Sequence, residues 1–396
     1  MRRIPHRLAS LLLIALLAGP AFAGNEPTVG PAVGKALKSA VEQLGGKQYS
    51  AASAGLMAAL QAESLTAFER FSLNRLLVGA ALGDKQYAVA VKSAREVLGS
   101  AFLNEQERGT VQQSLLAALM KQGQFQELAQ ACTQFLERNP ADVSLLELRL
   151  KANYLGKQYT QAIQSALPLL NVLERQQATP SEEMLKLLAA SASEATDWAM
   201  YQNALRKLVK HYPNAEYWSD LLYRSQADGA FKAVGDLQFY RLLRATRSYR
   251  DSGEFIDAAD AAIKAGYPLE AAQFLDLGVA MGLLPHADVK DAYADRRKQV
   301  EKLLALEAKQ PSGKAKSPLA MVANGYNEVL AGRVDAGLKS MSEGVAVGVP
   351  SVVRVNYAVA QAMVGQHEQA RAEMARLLTD AQCGKLAELW LLALRP

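Results

Sequence analysis

The phrase "LGGKQYSAAS" at Leu44 returns as "LGDKQYAVAV" at Leu82 and "LGKQYTQAI" at Leu155, with a looser copy, "KQGQFQELA", from Lys121. Aligned on the aromatic, the copies give Tyr49, Tyr87, Phe125, Tyr159 and Trp198, separated by 38, 38, 34 and 39 residues. A period of this size predicts stacked helical hairpins, none of which can bury its apolar face without a neighbour. Gly46, Gly83, Gly123 and Gly156 fall where the chain must reverse, which predicts positive φ at the glycines. The aromatic is expected to open the second helix and wedge against the first. Three residues on, Ala52, Ala90 and Ala162 keep that contact close.

Between the turns the apolar spacing is helical. Leu115, Leu116, Leu119 and Met120 share one face, and Leu128, Cys132, Phe135 and Leu136 share the next. Asn139 and Pro140 should stop a helix and Asp142 cap the following one, a device repeated in "HYPNAEYW" from His211. From Gly123 to Pro140 the glycine, aromatic and proline stand at the spacing of the tetratricopeptide repeat (TPR) family, which the chain resembles. Together the periodicity and the resemblance predict an all-α, right-handed solenoid of antiparallel helix hairpins, about ten of them. The pattern returns as "SGEFIDAA", "KAGYPLEAAQFLDLGVAMGLL", "LAGRVDAGLKSMSEGV" and "MVGQHEQARAEMARLL", and "LAELWLLAL" is expected to cap the stack. Three stretches, "HYPNAEYWSDLLYR", "AGYPLEAAQFLDLGVAMGLL" and "LAELWLLAL", also resemble exported bacterial TPR proteins, some associated with TonB-type systems. That likeness implies a periplasmic interaction protein and carries over no functional residue.

Residues 1–23 read as a secretory signal peptide: Arg2, Arg3 and Arg7, an apolar run from Leu11 to Ala18, and small residues at Ala21 and Ala23. Removing them takes the formal charge from +5 to +2, because three arginines and no acids leave. Neither that balance nor an exported compartment favours nucleic acid as a partner, and no later segment is apolar enough to span a membrane. The expected organisation is TPR-like repeats over 24–307, a flexible loop or linker at 308–318 ("AKQPSGKAKSP"), and C-terminal repeats with a capping helix over 319–396. Cys132 and Cys383 are either two buried thiols or a disulfide. Separation by several repeats favours the thiols.

No motif carries catalysis, so no catalytic residue, metal ligand or cofactor is assigned. His211, His286 and His367 have no metal-ligand spacing, and His367 occupies an aromatic repeat slot. There is no nucleophile elbow, and "PSGKAKS" lacks the rest of a phosphate loop. The anomaly is Trp198 to Phe255, which holds eleven of the chain's 27 aromatics among many arginines. It reads either as irregular repeats with an aromatic core or as a groove gripping an extended peptide, with Tyr217, Trp218, Tyr240 and Arg244 as candidate contacts. The arginines of "RLLRATRSYR" advance about 300° per step on a helix, so they do not make one basic stripe. The expected function is a non-enzymatic periplasmic scaffold for a protein or peptide partner, in an envelope energy-transduction or assembly complex. The alternative is an envelope enzyme or a glycan-binding module.

Overall fold

The structure, a computed structural model, describes residues 28–284, 292–307 and 317–394. The signal-peptide segment, His286 and most of the expected loop at 308–318 lie outside them. The described residues form twenty helices and no strand, an all-α helical-repeat architecture. They fall into two compact units that divide between Thr196 and Asp197.

The first unit is a stack in which each helix packs on the next: α1 (Pro31–Gly45), α2 (Tyr49–Ala59), α3 (Ala67–Gly83), α4 (Tyr87–Leu98), α5 (Glu105–Gln122), α6 (Phe125–Leu136), α7 (Val143–Leu155), α8 (Tyr159–Arg175) and α9 (Glu182–Glu194). Local chemistry sets the starts. Thr66 and Glu69 form a reciprocal capping box, and the side chains of Asn104, Asp142 and Ser181 accept from backbone N–H groups of α5, α7 and α9. Ala52, Ala90, Ala162 and the equivalent Leu128 are fully buried and hold the hairpins together.

The turns depart from expectation in an instructive way. The left-handed residue is always the second before the first residue of the second helix: Lys47 (φ 57°), Lys85 (φ 60°), Gly123 (φ 73°) and Lys157 (φ 57°). Only one of these is a glycine. Each turn closes with an N–H five residues beyond its acceptor, as from Gln86 to the Ala81 carbonyl at 2.8 Å and from Gln124 to that of Leu119 at 3.0 Å. Of the other glycines Gly83 and Gly156 supply space, while a Cβ at Gly46 would meet nothing closer than 3.6 Å. The Tyr49 ring lies on Gly83 of the next hairpin, where a Cβ would come within 2.4 Å of it, and a Cβ at Gly156 would lie 3.3 Å from Phe125 Cβ. The aromatics thus open their helices as expected, and the Tyr49 ring wedges against the following turn.

The second unit contains α10 (Trp198–His211), α11 (Ala215–Ala227), α12 (Leu237–Thr246), α13 (Gly253–Lys264), α14 (Pro268–Ala280), α15 (Ala292–Glu307), α16 (Pro318–Leu330), α17 (Val334–Val347), α18 (Ser351–Met363), α19 (His367–Ala375) and α20 (Gly384–Ala393). The turn rule persists at Gly266, Gly332 and Gly365, all left-handed. Helices α16 and α17 approach backbone to backbone, since a Cβ on Gly325 or Gly337 would meet the other's carbonyl oxygen within 2.6 Å. The segment "RLLRATRSYR" does not continue as helix: α12 ends at Thr246 and Arg247 is left-handed. The last helix, expected to cap a stack, instead returns to the start of its unit. α20 packs on α10 and α12 as well as on α19, burying Leu386, Leu389 and Trp390. Unit two is therefore closed by contacts between its ends.

Candidate functional site

The four residues expected to form a binding groove are built into the second unit's packing. Tyr217 and Trp218 are core residues, 7% and 5% exposed, on the buried face of α11 that Asn214 caps. Tyr240 is half-buried with its ring edge-on to Phe239 at 5.2 Å. Burial, reinforced by Asp257, Asp236 and Asp260, pushes its hydroxyl up to about 12. Arg244 lies over the Phe274 ring at 5.0 Å and 3.6 Å from Glu270. The core reading of the aromatic segment is the one these positions fit, because the aromatics fill the space between helices. Trp198 is the exception at 40% exposure, with the Arg224 guanidinium 4.7 Å from its ring.

At the centre of that unit is a polar interior no sequence motif announced. Arg241 and Glu270 are both fully buried and paired, Nε to Oε1 at 3.0 Å and Nη2 to Oε2 at 2.6 Å. The Tyr326 hydroxyl donates to Glu270 at 3.0 Å, and Arg241 Nη1 donates to Asn356 Oδ1 at 2.7 Å. Burial alone would raise the Glu270 carboxyl, but Arg241, Arg244 and the Tyr326 hydroxyl together outweigh it and hold the group below the usual carboxylate range. Every strong partner in this cluster is the protein's own, so it serves cohesion.

The first unit offers an open face. Between α6 and α8, with α7 as its floor, runs a groove of about 540 Å³. Gln126, Gln130 and Gln134 recur every four residues along α6, and Gln161 and Gln164 face them from α8, so primary amides line both walls. The α7 side chain of Asn153 donates to Ser165 at 2.9 Å within the groove. Beside it stands Arg149, half-buried, with no acid within ion-pairing distance among the described residues and a buried Nε that has no hydrogen-bond partner. Burial holds its guanidinium below the usual arginine value. It is a cation that loses solvation and gains no counter-charge, a state that an incoming carboxylate would relieve.

Both cysteines are buried free thiols, and burial pushes each up to about 12. His211 ends α10 and His367 opens α19. Among the described residues no group of three or more His, Cys, Asp or Glu could hold a metal ion, and no helix is long and apolar enough to cross a membrane.

No family model and no curated protein matches the chain. Among solved structures, a tetratricopeptide repeat protein from Parabacteroides merdae ATCC 43184 is 14% identical over 71% of this chain and 100% of its own, with a TM-score of 0.34. The TPR domain of P58(IPK) is 14% identical over 91% of this chain and 96% of its own, with a TM-score of 0.23. Scores this low carry no weight for function.

Proposed function

We propose that the protein is a non-enzymatic TPR-like scaffold whose first unit binds an extended, acidic peptide segment in the groove between α6 and α8. The observation that carries this is Arg149, an uncompensated cation on the floor of an amide-lined channel. An extended peptide presents N–H and C=O groups in alternation, and a glutamine amide can donate to one and accept from the other. An Asp or Glu side chain, or a chain terminus, supplies the missing counter-charge. The basic, apolar, small-residue order of residues 1–23 supports export, so the partner is sought in the periplasm, as part of an envelope energy-transduction or assembly complex.

A peptide library displayed against the full chain tests the groove. Selected sequences should be enriched in Asp or Glu, and Arg149→Gln should weaken them by about tenfold or more, the scale of a charged hydrogen bond. If selected peptides carry no acid, or bind the variant equally at unchanged helicity, the groove is not the binding face. Cell fractionation tests the compartment separately.

A further inference from the structure

The spacing of the glutamines on the α6 wall is itself a measure of what the first unit's groove can hold. Gln126, Gln130 and Gln134 are exposed, and their side-chain amides have no hydrogen-bond partner among the described residues. Four residues of α-helix rise about 6 Å, so the row offers three amides at that interval along one side of the groove. An extended peptide repeats every two residues, about 6.4–6.8 Å, and the N–H and C=O of a given residue point to the same edge of the strand while those of its neighbours point to the other. The two intervals differ by less than about 1 Å per step, which the free torsions of a Gln side chain absorb. A primary amide donates through its nitrogen and accepts through its oxygen, so one Gln matches the C=O and N–H of one residue.

The opposite wall does not share this interval. Gln161 and Gln164 on α8 stand three apart, a rise of about 4.5 Å. Ser165, four on from Gln161, is buried, and its hydroxyl donates to the Gln161 carbonyl and accepts from Asn153. Arg149 is the one charged side chain in the lining, and it bears electrostatically on the Cys132 thiol, which puts it level with the stretch of α6 between Gln130 and Gln134.

We infer that the groove reads an extended peptide through its main chain at every second residue: Gln126, Gln130 and Gln134 each take the N–H and C=O of one of three alternate residues, and the acid that meets Arg149 lies within the same span of about five residues. The inference rests on the peptide-groove reading and adds its register. It defines the partner as a segment whose three alternate residues keep a main-chain N–H, which bars Pro from those positions, with an Asp or Glu inside the span rather than flanking it.

The test takes the tightest-binding acidic heptapeptide from the displayed library, labelled for fluorescence anisotropy, and a series of its single N-methyl derivatives, each titrated with the full chain. Each methyl group deletes one donor and blocks one edge position. Methylation should weaken binding about fivefold or more at three alternate positions and less than about twofold at one or both of the positions between them, with the acid at or between the sensitive residues. Gln130→Leu changes an exposed helical residue and should remove the penalty at the middle sensitive position while keeping those at the outer two, a coupling that a weakened fold would not produce. If binding still depends on Arg149 but the penalties do not alternate, or the middle penalty survives in Gln130→Leu, the register is overturned and the peptide groove stands. If no acidic peptide binds, or none loses affinity in Arg149→Gln, the groove reading falls and the register falls with it.

Discussion

At the residue scale, the same amino acid plays opposite parts in one helix, and the difference is measurable. Gly79 lies within α3 with nothing within 4 Å of where a Cβ would sit, whereas a Cβ at Gly83 would run into the Tyr49 ring. Gly79→Ala should therefore stabilise the first unit by about 0.5–1 kcal/mol through helix propensity and reduced chain entropy. Gly83→Ala should cost about 1–3 kcal/mol by forcing two hairpins apart. Urea unfolding of the pair checks this, and equal effects would remove the space argument for the repeated glycine. Glu69 gives a pH signature. Its carboxylate accepts from the backbone of Gly30 and from both the backbone and hydroxyl of Thr66, which hold it below the usual glutamate range. A depressed folded-state value means the stabilisation is complete above the unfolded value of about 4.3 and is lost as pH falls through the lower, folded one. Glu69→Gln should flatten the acid limb of the stability curve in that window while leaving its shape at neutral pH unchanged. The thiols, raised to about 12 by burial, should resist a disulfide reagent in the native protein and react promptly in denaturant.

At the element scale, what could be read in the sequence was the local part of the design. Tyr49, Tyr87, Phe125, Tyr159 and Trp198 are each the first residue of a helix, and Asp142 caps where expected, because these signals act within a few residues. The amide-lined groove was not legible as a site. Its walls come from α6 and α8 and its cation from α7, so only packing order brings them together. The four-residue spacing of Gln126, Gln130 and Gln134 was the one clue present. The aromatic segment stayed open between two readings for the converse reason: Tyr and Arg density marks interfaces and interiors alike, and here Arg241 turns inward to Glu270 from another helix. That pair makes its own prediction. Arg241→Met or Glu270→Leu alone leaves a buried charge without its partner and should cost about 3–5 kcal/mol. The double variant should cost far less than the sum, because neither charge then remains. Additive losses in a double-mutant cycle would mean the two side chains stabilise the unit by packing separately.

At the scale of the whole molecule, the two units should fail differently when an end is removed. In the first unit every helix is held by neighbours one or two along the chain, so deleting residues 28–60 takes away α1 and α2 and leaves the remaining interfaces formed. In the second unit the bonds run long: Gln238 and Asn356 are 118 residues apart, and α20 lies against α10 and α12. Truncation after Asp380 removes sixteen residues, whose helix is the ten-residue α20, yet it uncovers the apolar faces of helices at the opposite end of the unit's sequence. Such a unit has no free end from which to fray, and its cooperativity should resemble that of a globular domain. Far-UV circular dichroism should therefore show the C-terminal truncation losing much more helix than α20 contains, while the N-terminal deletion loses no more than α1 and α2 contribute. If the C-terminal truncation lost only the share of α20, the ends of the unit would not be supporting one another. The second unit would then behave, like the first, as a stack of locally held hairpins.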